Sequence, residues 1–160
     1  MKKVILLVMV FVLVFAVSAV NLKAQGQEMD LYVNAGLITD DQFTFDPIVW
    51  SGGINVDIHF SDMLMLSPEC DVIFWGFKFD AIWLAPGVIA NFKTNMLFVG
   101  GGITKWFKLS GNVFNSDLSL KLNVGFKSKK YRLTVYLLTP FDEMFKRYYT
   151  MFGATIGFAF

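Results

Sequence analysis

From Met29 to the C-terminus, apolar and polar residues alternate along runs of about ten positions, with polar breaks between the runs. Period-two alternation gives a strand two unlike faces. Runs of ~9–11 residues are the length at which a tilted strand crosses a bilayer. No 3.6-residue period survives beyond two helical turns, so strands are expected and helices are not.

Eight runs are present. The first, Met29 to Ile38, sets Leu31, Val33, Ala35 and Leu37 against Asp30, Tyr32, Asn34 and Gly36. The second, Gly53 to Phe60, sets Ile54, Val56, Ile58 and Phe60 against Gly53, Asn55, Asp57 and His59. The third, Leu64 to Phe74, sets Leu66, Pro68, Cys70 and Val72 against Ser67, Glu69 and Asp71. Pro68 lacks a ladder donor, which predicts a local bulge. The fourth, Phe79 to Phe92, is apolar on both faces, so its facing stays open. The preferred reading turns Leu84, Pro86, Val88, Ala90 and Phe92 outward and Trp83, Ala85, Gly87, Ile89 and Asn91 inward. In the fifth, Met96 to Thr104, Leu97, Val99 and Ile103 face outward, and the inward Gly100 and Gly102 make room for Trp83 or Ile89. The sixth, Asn115 to Phe126, opposes Leu118, Leu120, Leu122, Val124 and Phe126 to Asp117, Ser119, Lys121, Asn123 and Gly125. The seventh, Tyr131 to Leu138, opposes Leu133, Val135 and Leu137 to Arg132, Thr134 and Tyr136. The eighth, Tyr148 to Phe160, sends Phe152, Ala154, Ile156, Phe158 and Phe160 outward and Met151, Gly153, Thr155, Gly157 and Ala159 inward.

The breaks after the second, fourth and sixth runs are Ser61-Asp62-Met63, Lys93-Thr94-Asn95 and Lys127-Ser128-Lys129-Lys130. Those after the other runs are mostly longer: Thr39 to Gly52, Trp75 to Lys78, Lys105 to Phe114 and Thr139 to Arg147. Short turns at one end and longer loops at the other fit an eight-stranded antiparallel up-and-down transmembrane β-barrel, with both termini in the periplasm. A soluble lipocalin-like barrel shares the meander but needs an apolar interior. Here Asp57, Glu69, Asp71, Lys121 and Arg132 oppose the apolar face, so the polar face is the lumen and the apolar face meets lipid. Phe60, Phe92, Phe126, Tyr131, Phe158 and Phe160 gather near one end of the runs. Phe74, Trp75, Phe79, Trp106, Phe114, Tyr148 and Tyr149 gather near the other. Together they predict two interfacial girdles.

Residues 1–28 read differently. Lys2 and Lys3 precede an unbroken apolar run from Val4 to Val17, and Val17-Ser18-Ala19 has small or compact residues at the −3 and −1 positions of a cleavage site. The expected domains are a signal peptide over 1–19, with an alternative cut after Ala24, an extension over 20–28 and the barrel over 29–160. An uncleaved anchor is the rival reading, but the run is shorter than the ~20 residues a spanning helix needs. Removing residues 1–19 moves the formal charge from +1 to −1. That near-neutral chain offers no basic footprint for nucleic acid. With Cys70 as the one cysteine, an intrachain disulfide and a cysteine metal cluster are both excluded.

The last run, Phe152-Gly153-Ala154-Thr155-Ile156-Gly157-Phe158-Ala159-Phe160, resembles the C-terminal signal of outer-membrane barrels, which alternates apolar residues and ends in an aromatic. The region after the signal peptide resembles the small OmpA/OmpX-type outer-membrane β-barrel proteins. That resemblance implies a location in the bacterial outer membrane. It also implies that the barrel-assembly machinery reads Phe152, Ile156, Phe158 and Phe160, and it leaves activity open because the family is functionally mixed.

Candidate chemistry is sparse. His59 with Ser61 resembles part of the motif of outer-membrane lipid A deacylases. Strand two descends, however, so the pair sits at the periplasmic end and His59 points into the lumen, where a hydrogen bond to a neighbour such as Asp57 is expected. The lumen charges Asp57, Glu69, Asp71, Lys121 and Arg132, with His59, are expected to form a structural plug, because eight strands enclose just enough space for side chains. Glu69 and Lys121 fall near mid-height and are expected to pair. The outer-loop acids Asp40, Asp41, Asp46, Asp80, Asp142 and Glu143 lack EF-hand spacing and read as a solvated surface. The basic turn 127–130 reads the same way. Gly100-Gly101-Gly102 lies within a strand with no helix after it, so it is not a phosphate loop.

The expected function is a non-enzymatic outer-membrane barrel with a structural or surface-interaction role carried by its outer loops. A narrow channel for small or hydrophobic solutes is the alternative, and a lipid-modifying enzyme the third. No catalytic, cofactor-binding or metal residues are expected. The expected partners are outer-membrane lipid or lipopolysaccharide and the assembly machinery, for a monomeric chain.

Overall fold

The computed structural model describes residues 28–45, 48–76, 82–109, 115–142 and 150–160. The signal peptide over 1–19, its alternative cut and all but Glu28 of the extension lie outside the described residues. So do Asp46, Phe79, Asp80, Phe114, Glu143, Tyr148 and Tyr149.

Eight strands follow one another: β1 (Met29–Asp40), β2 (Val49–His59), β3 (Leu64–Trp75), β4 (Ile82–Thr94), β5 (Leu97–Lys108), β6 (Asn115–Lys127), β7 (Tyr131–Pro140) and β8 (Met151–Ala159). Each pairs antiparallel with the next and β8 returns to β1, closing the barrel. Closure leaves no strand edge unpaired, which a sheet with an apolar outer face needs. The register passes from Met29 through Ile58, Leu66, Ala90, Gly101, Leu122, Leu137 and Phe152 to Thr39, ten residues up the same strand. Such a stagger goes with strands tilted ~35–45° to the barrel axis.

Facing follows the alternation on every strand, including β4. Leu31, Val33, Val88, Phe92, Leu97, Val99, Val124, Leu133, Val135, Ile156 and Phe158 are exposed on the outer wall. Tyr32, Asn55, Asp57, Ser67, Ile89, Asn91 and Thr134 are buried in the lumen. Val56 and Ile58 keep their outward positions on β2 but are shielded.

Four expectations need correction. The strands run further than the alternation alone marked: β2 begins at Val49 and β5 continues to Lys108. Pro68 makes no bulge. On its β2 side the ladder lapses between Asn55↔Glu69 and Ile58↔Leu66 while the register stays unchanged, so a missing donor leaves a gap rather than an extra residue. The β4–β5 ladder lapses in the same way beside Pro86, and the register shift lies instead between Lys105 and Phe107 on β5. Gly100 and Gly102 do not make room for Trp83, which sits higher. A Cβ on Gly102 would strike the backbone at Val88 and Ile89, and one on Gly100 would strike Asn91. Finally, Trp75 and Trp106 leave the outer girdle and point into the lumen, on the inward rows of β3 and β5. The girdle residues at the other end, Phe60, Phe92, Phe126, Tyr131, Phe158 and Phe160, are exposed on the outside.

The tight turns fit their residues. Asn95, first of the two residues joining β4 to β5, has φ 52°, a left-handed value that Asn tolerates. Ser61 Oγ accepts the backbone N–H groups of Met63 (3.3 Å) and Leu64 (3.0 Å) in the β2–β3 turn.

Candidate functional site

The lumen gathers the residues that carry chemistry, and they sort by height. Nearest the short turns are Asp30 of β1, Asp57 and His59 of β2, Lys93 of β4, Lys127 of β6 and Arg132 of β7. Lys127 Nζ lies 2.9 Å from both Asp30 Oδ2 and Asp57 Oδ2. Arg132 Nε lies 3.5 Å from Asp57 Oδ2, with its guanidinium 4.6 Å from the Phe98 ring centre. Ser67 donates to Asp57 Oδ1 at 2.7 Å and accepts from Asn91 Nδ2 at 2.8 Å.

Three groups surround the His59 ring: Lys93 Nζ lies 2.9 Å from Nδ1, Asp30 Oδ2 3.1 Å from Nε2 and Lys127 Nζ 2.8 Å from Nε2.

The polar atoms of Asn55, Asn123 and the Thr134 hydroxyl have no hydrogen-bond partner among the described residues, a chemistry that suits bridging water. Above them Lys121 Nζ donates to Glu69 Oε1, lies 3.9 Å from Asp71 Oδ2 and sits 4.1 Å from the Tyr136 ring centre. Tyr136 fits because Gly153 faces it: any Cβ there would enter the phenol ring. The void among Glu69, Asp71, Thr104, Lys121 and Tyr136 is about 10 Å³, room for about one water. Up to this height the inward positions hold Asp30, Asp57, Glu69 and Asp71 against Lys93, Lys121, Lys127 and Arg132, four acids against four bases.

Toward the long loops the lumen turns apolar. Ile38, Val49, Ile73, Ala85, Trp106 and Leu138 are buried together with Tyr136. The rings of Trp75, Trp83 and Trp106 meet pairwise with centroids 6.0, 6.1 and 6.2 Å apart. A cavity of about 110 Å³ lies at that end, lined by Ile38, Thr39, Asp40, Thr44, Val49, Trp75 and Met151. Asp40 Oδ1 pins the adjoining loop by accepting from Gln42 N (3.1 Å) and Thr44 N (2.8 Å).

The structure thus brings Asp57, His59 and Arg132 into one cluster and Glu69, Asp71 and Lys121 into another. His59 pairs with Asp30, not Asp57: on adjacent strands Asp30 and His59 converge, while Asp57 turns to Ser67, Lys127 and Arg132. The alternation missed Lys93 and Lys127, placing Lys93 in a short turn and Lys127 in a solvated one. Both close the ends of strands and point inward, on the same rows as Asn91 and Gly125. Parity carried one residue further finds them. His59 and Ser61 share no hydrogen bond, since their polar atoms are taken by Lys93, Asp30 and the turn amides. Among the described residues no group of three His, Cys, Asp or Glu is placed to hold a metal ion.

No protein-family model matches the chain, and no curated protein does. Solved structures do. A de novo designed transmembrane β-barrel aligns over 82% of this chain and 95% of its own at 10% identity, with a TM-score of 0.52. The N-terminal β-barrel domain of Pseudomonas aeruginosa OprF aligns over 84% of this chain and 99% of its own at 13% identity, with a TM-score of 0.51. These likenesses establish the fold, an eight-stranded closed antiparallel barrel of the kind that crosses membranes.

Proposed function

We propose that this chain is an integral barrel of the bacterial outer membrane, exported by a cleaved signal peptide, with a closed lumen and a non-enzymatic role at the surface its long-loop end presents. One observation carries the reading: the wall is apolar outward and charged inward in a barrel too narrow for a water-filled channel. In water, that arrangement would expose Leu, Val, Ile and Phe on all sides while burying the charges of Asp57, Glu69, Asp71, Lys121 and Arg132. In a bilayer both faces are satisfied.

The likeness to a designed transmembrane barrel supports the same placement. Phe152, Ile156, Phe158 and Phe160 stand on the outward row of the last strand, where assembly machinery can read them. Phe43, Phe45 and Phe141 are exposed at the long-loop end. Phe43 holds φ 55°, costly for a bulky residue, and stacks on Phe152 at 5.3 Å, so the apolar wall continues onto the loop. Lipid or lipopolysaccharide is the partner this surface suits, with the barrel a monomer.

The full chain, expressed in a Gram-negative host, is fractionated and each fraction run unheated and boiled on one gel. Outer-membrane recovery with a heat-dependent mobility shift supports the reading. Soluble or inner-membrane recovery without a shift overturns it. In planar bilayers the wild type and Glu69→Ala are both expected to be silent, because the tryptophan layer closes the lumen above Glu69. Steady single-channel conductance by the wild type would favour the narrow-channel reading instead.

A further inference from the structure

Among the described outward strand positions, Lys105 of β5 is the one charged side chain. It is half-buried, has no carboxylate partner among the described residues, and its Nζ lies 5.8 Å from the Phe107 ring centre. A lysine on a lipid-facing wall is costly unless its ammonium reaches the interface or a counter-charge.

The wall is also dented there. Two irregularities coincide at this height, the lapse in the β4–β5 ladder beside Pro86 and the β5–β6 register shift between Lys105 and Phe107. Between them opens a groove of about 330 Å³, lined by Pro86, Val88, Ile103, Phe107 and Leu118 with Lys105. Beside it the Thr104 hydroxyl donates to the Pro86 carbonyl at 3.0 Å. What remains is an apolar furrow with a single cation at the long-loop side.

We propose that this groove holds one acyl chain of an anionic, phosphate-bearing lipid, with Lys105 paired to the phosphate. Charge complementarity selects this occupant over a second copy of the chain, which would bring a second Lys105 and no acid among the described outward strand positions. Lys105 lies three residues below the end of β5, so its flexible stem reaches headgroup level while the chain lies along Val88 and Ile103. The inference rests on the transmembrane reading above and adds a fixed lipid site to it.

The test is native mass spectrometry of the folded full-length protein in detergent, supplied with phosphatidylglycerol or phosphatidylcholine. Wild type is expected to retain one phosphatidylglycerol about five-fold better than phosphatidylcholine, the ~1 kcal/mol of an ion pair at a water–apolar boundary. Lys105→Gln should erase the preference, Lys105→Arg should keep it, and Val88→Trp, which fills the groove, should lower retention of both lipids. Equal retention of the two lipids by wild type, or an unchanged preference in Lys105→Gln, overturns the proposal. So does undiminished retention in Val88→Trp. The heat-shift gel separates the two levels: a wild type that never shifts takes down the membrane reading and this site with it. One that shifts but shows no preference removes the site alone.

Discussion

The two ends of the lumen are built from the same strands and the same alternation, yet they are filled by opposite means. Toward the short turns, Asp30, Asp57, Lys127 and Arg132 interlock, with Glu69, Asp71 and Lys121 above them. Toward the long loops, Ile38, Ile73, Leu138 and three tryptophans fill the same cross-section with apolar volume. A charge cluster is directional: each member is tolerable because the others are present, and removing one leaves its partner buried and unpaired. An apolar layer is graded, since each side chain adds contact area and its loss leaves a cavity of corresponding size. The two ends should therefore differ less in how much each residue matters than in how losses combine.

Lys121→Met tests the charged end and carries the largest expected effect. It strands Glu69 and Asp71 together, and the barrel should lose about 3–5 kcal/mol. This is read as a fall in the urea midpoint of the barrel in detergent micelles, followed on unheated gels. Adding Glu69→Gln and Asp71→Asn to the same chain should recover most of that loss, so three changes hurt less than one. If the triple variant is weaker than Lys121→Met, the cluster is not held by charge balance and the contrast between the ends fails.

At the apolar end the order reverses. Trp106→Ala should cost about 3 kcal/mol by the same measurement, and Trp75→Ala with Trp106→Ala should cost more than either alone. A double variant as stable as the single one would mean that the layer collapses cooperatively, like the charge cluster below it.

How much of this was legible depended on what each position had to satisfy alone. Strand number, facing and lumen charges such as Asp57 and Lys121 were legible because a charged side chain on a strand is tolerated inward, while an outward one, as at Lys105, needs its ammonium to reach the interface. The partner of His59 was not, because it depends on the relative register of β1 and β2, which alternation within one strand does not specify. Trp75 and Trp106 were misread for a related reason. Each stands just past the last clear alternating residue, Phe74 or Thr104, and an aromatic at a strand end fits a girdle as well as a lumen. Lys93 and Lys127 were lost at the other end in the same way, since a lysine beside a turn needs no strand to explain it.

Between the two regions, Gly153 and Tyr136 offer a smaller perturbation. Gly153→Ala pushes a methyl into the phenol ring and should cost about 2 kcal/mol, as overpacking does. In a Tyr136→Leu background the same change should cost less than half as much. Equal costs in the two backgrounds would place the strain in the backbone of β8 rather than at the ring.

The smallest effect tests His59 as a bridge between Lys93 and Asp30. A glutamine there can accept from Lys93 through Oε1 and donate to Asp30 through Nε2, keeping a polar contact with each. His59→Gln should therefore cost no more than ~0.5 kcal/mol, against about 1–2 kcal/mol for His59→Leu, which removes both. The urea midpoints of the two variants decide it. If glutamine proves as costly as leucine, the ring is held for its shape rather than for its contacts with Lys93 and Asp30.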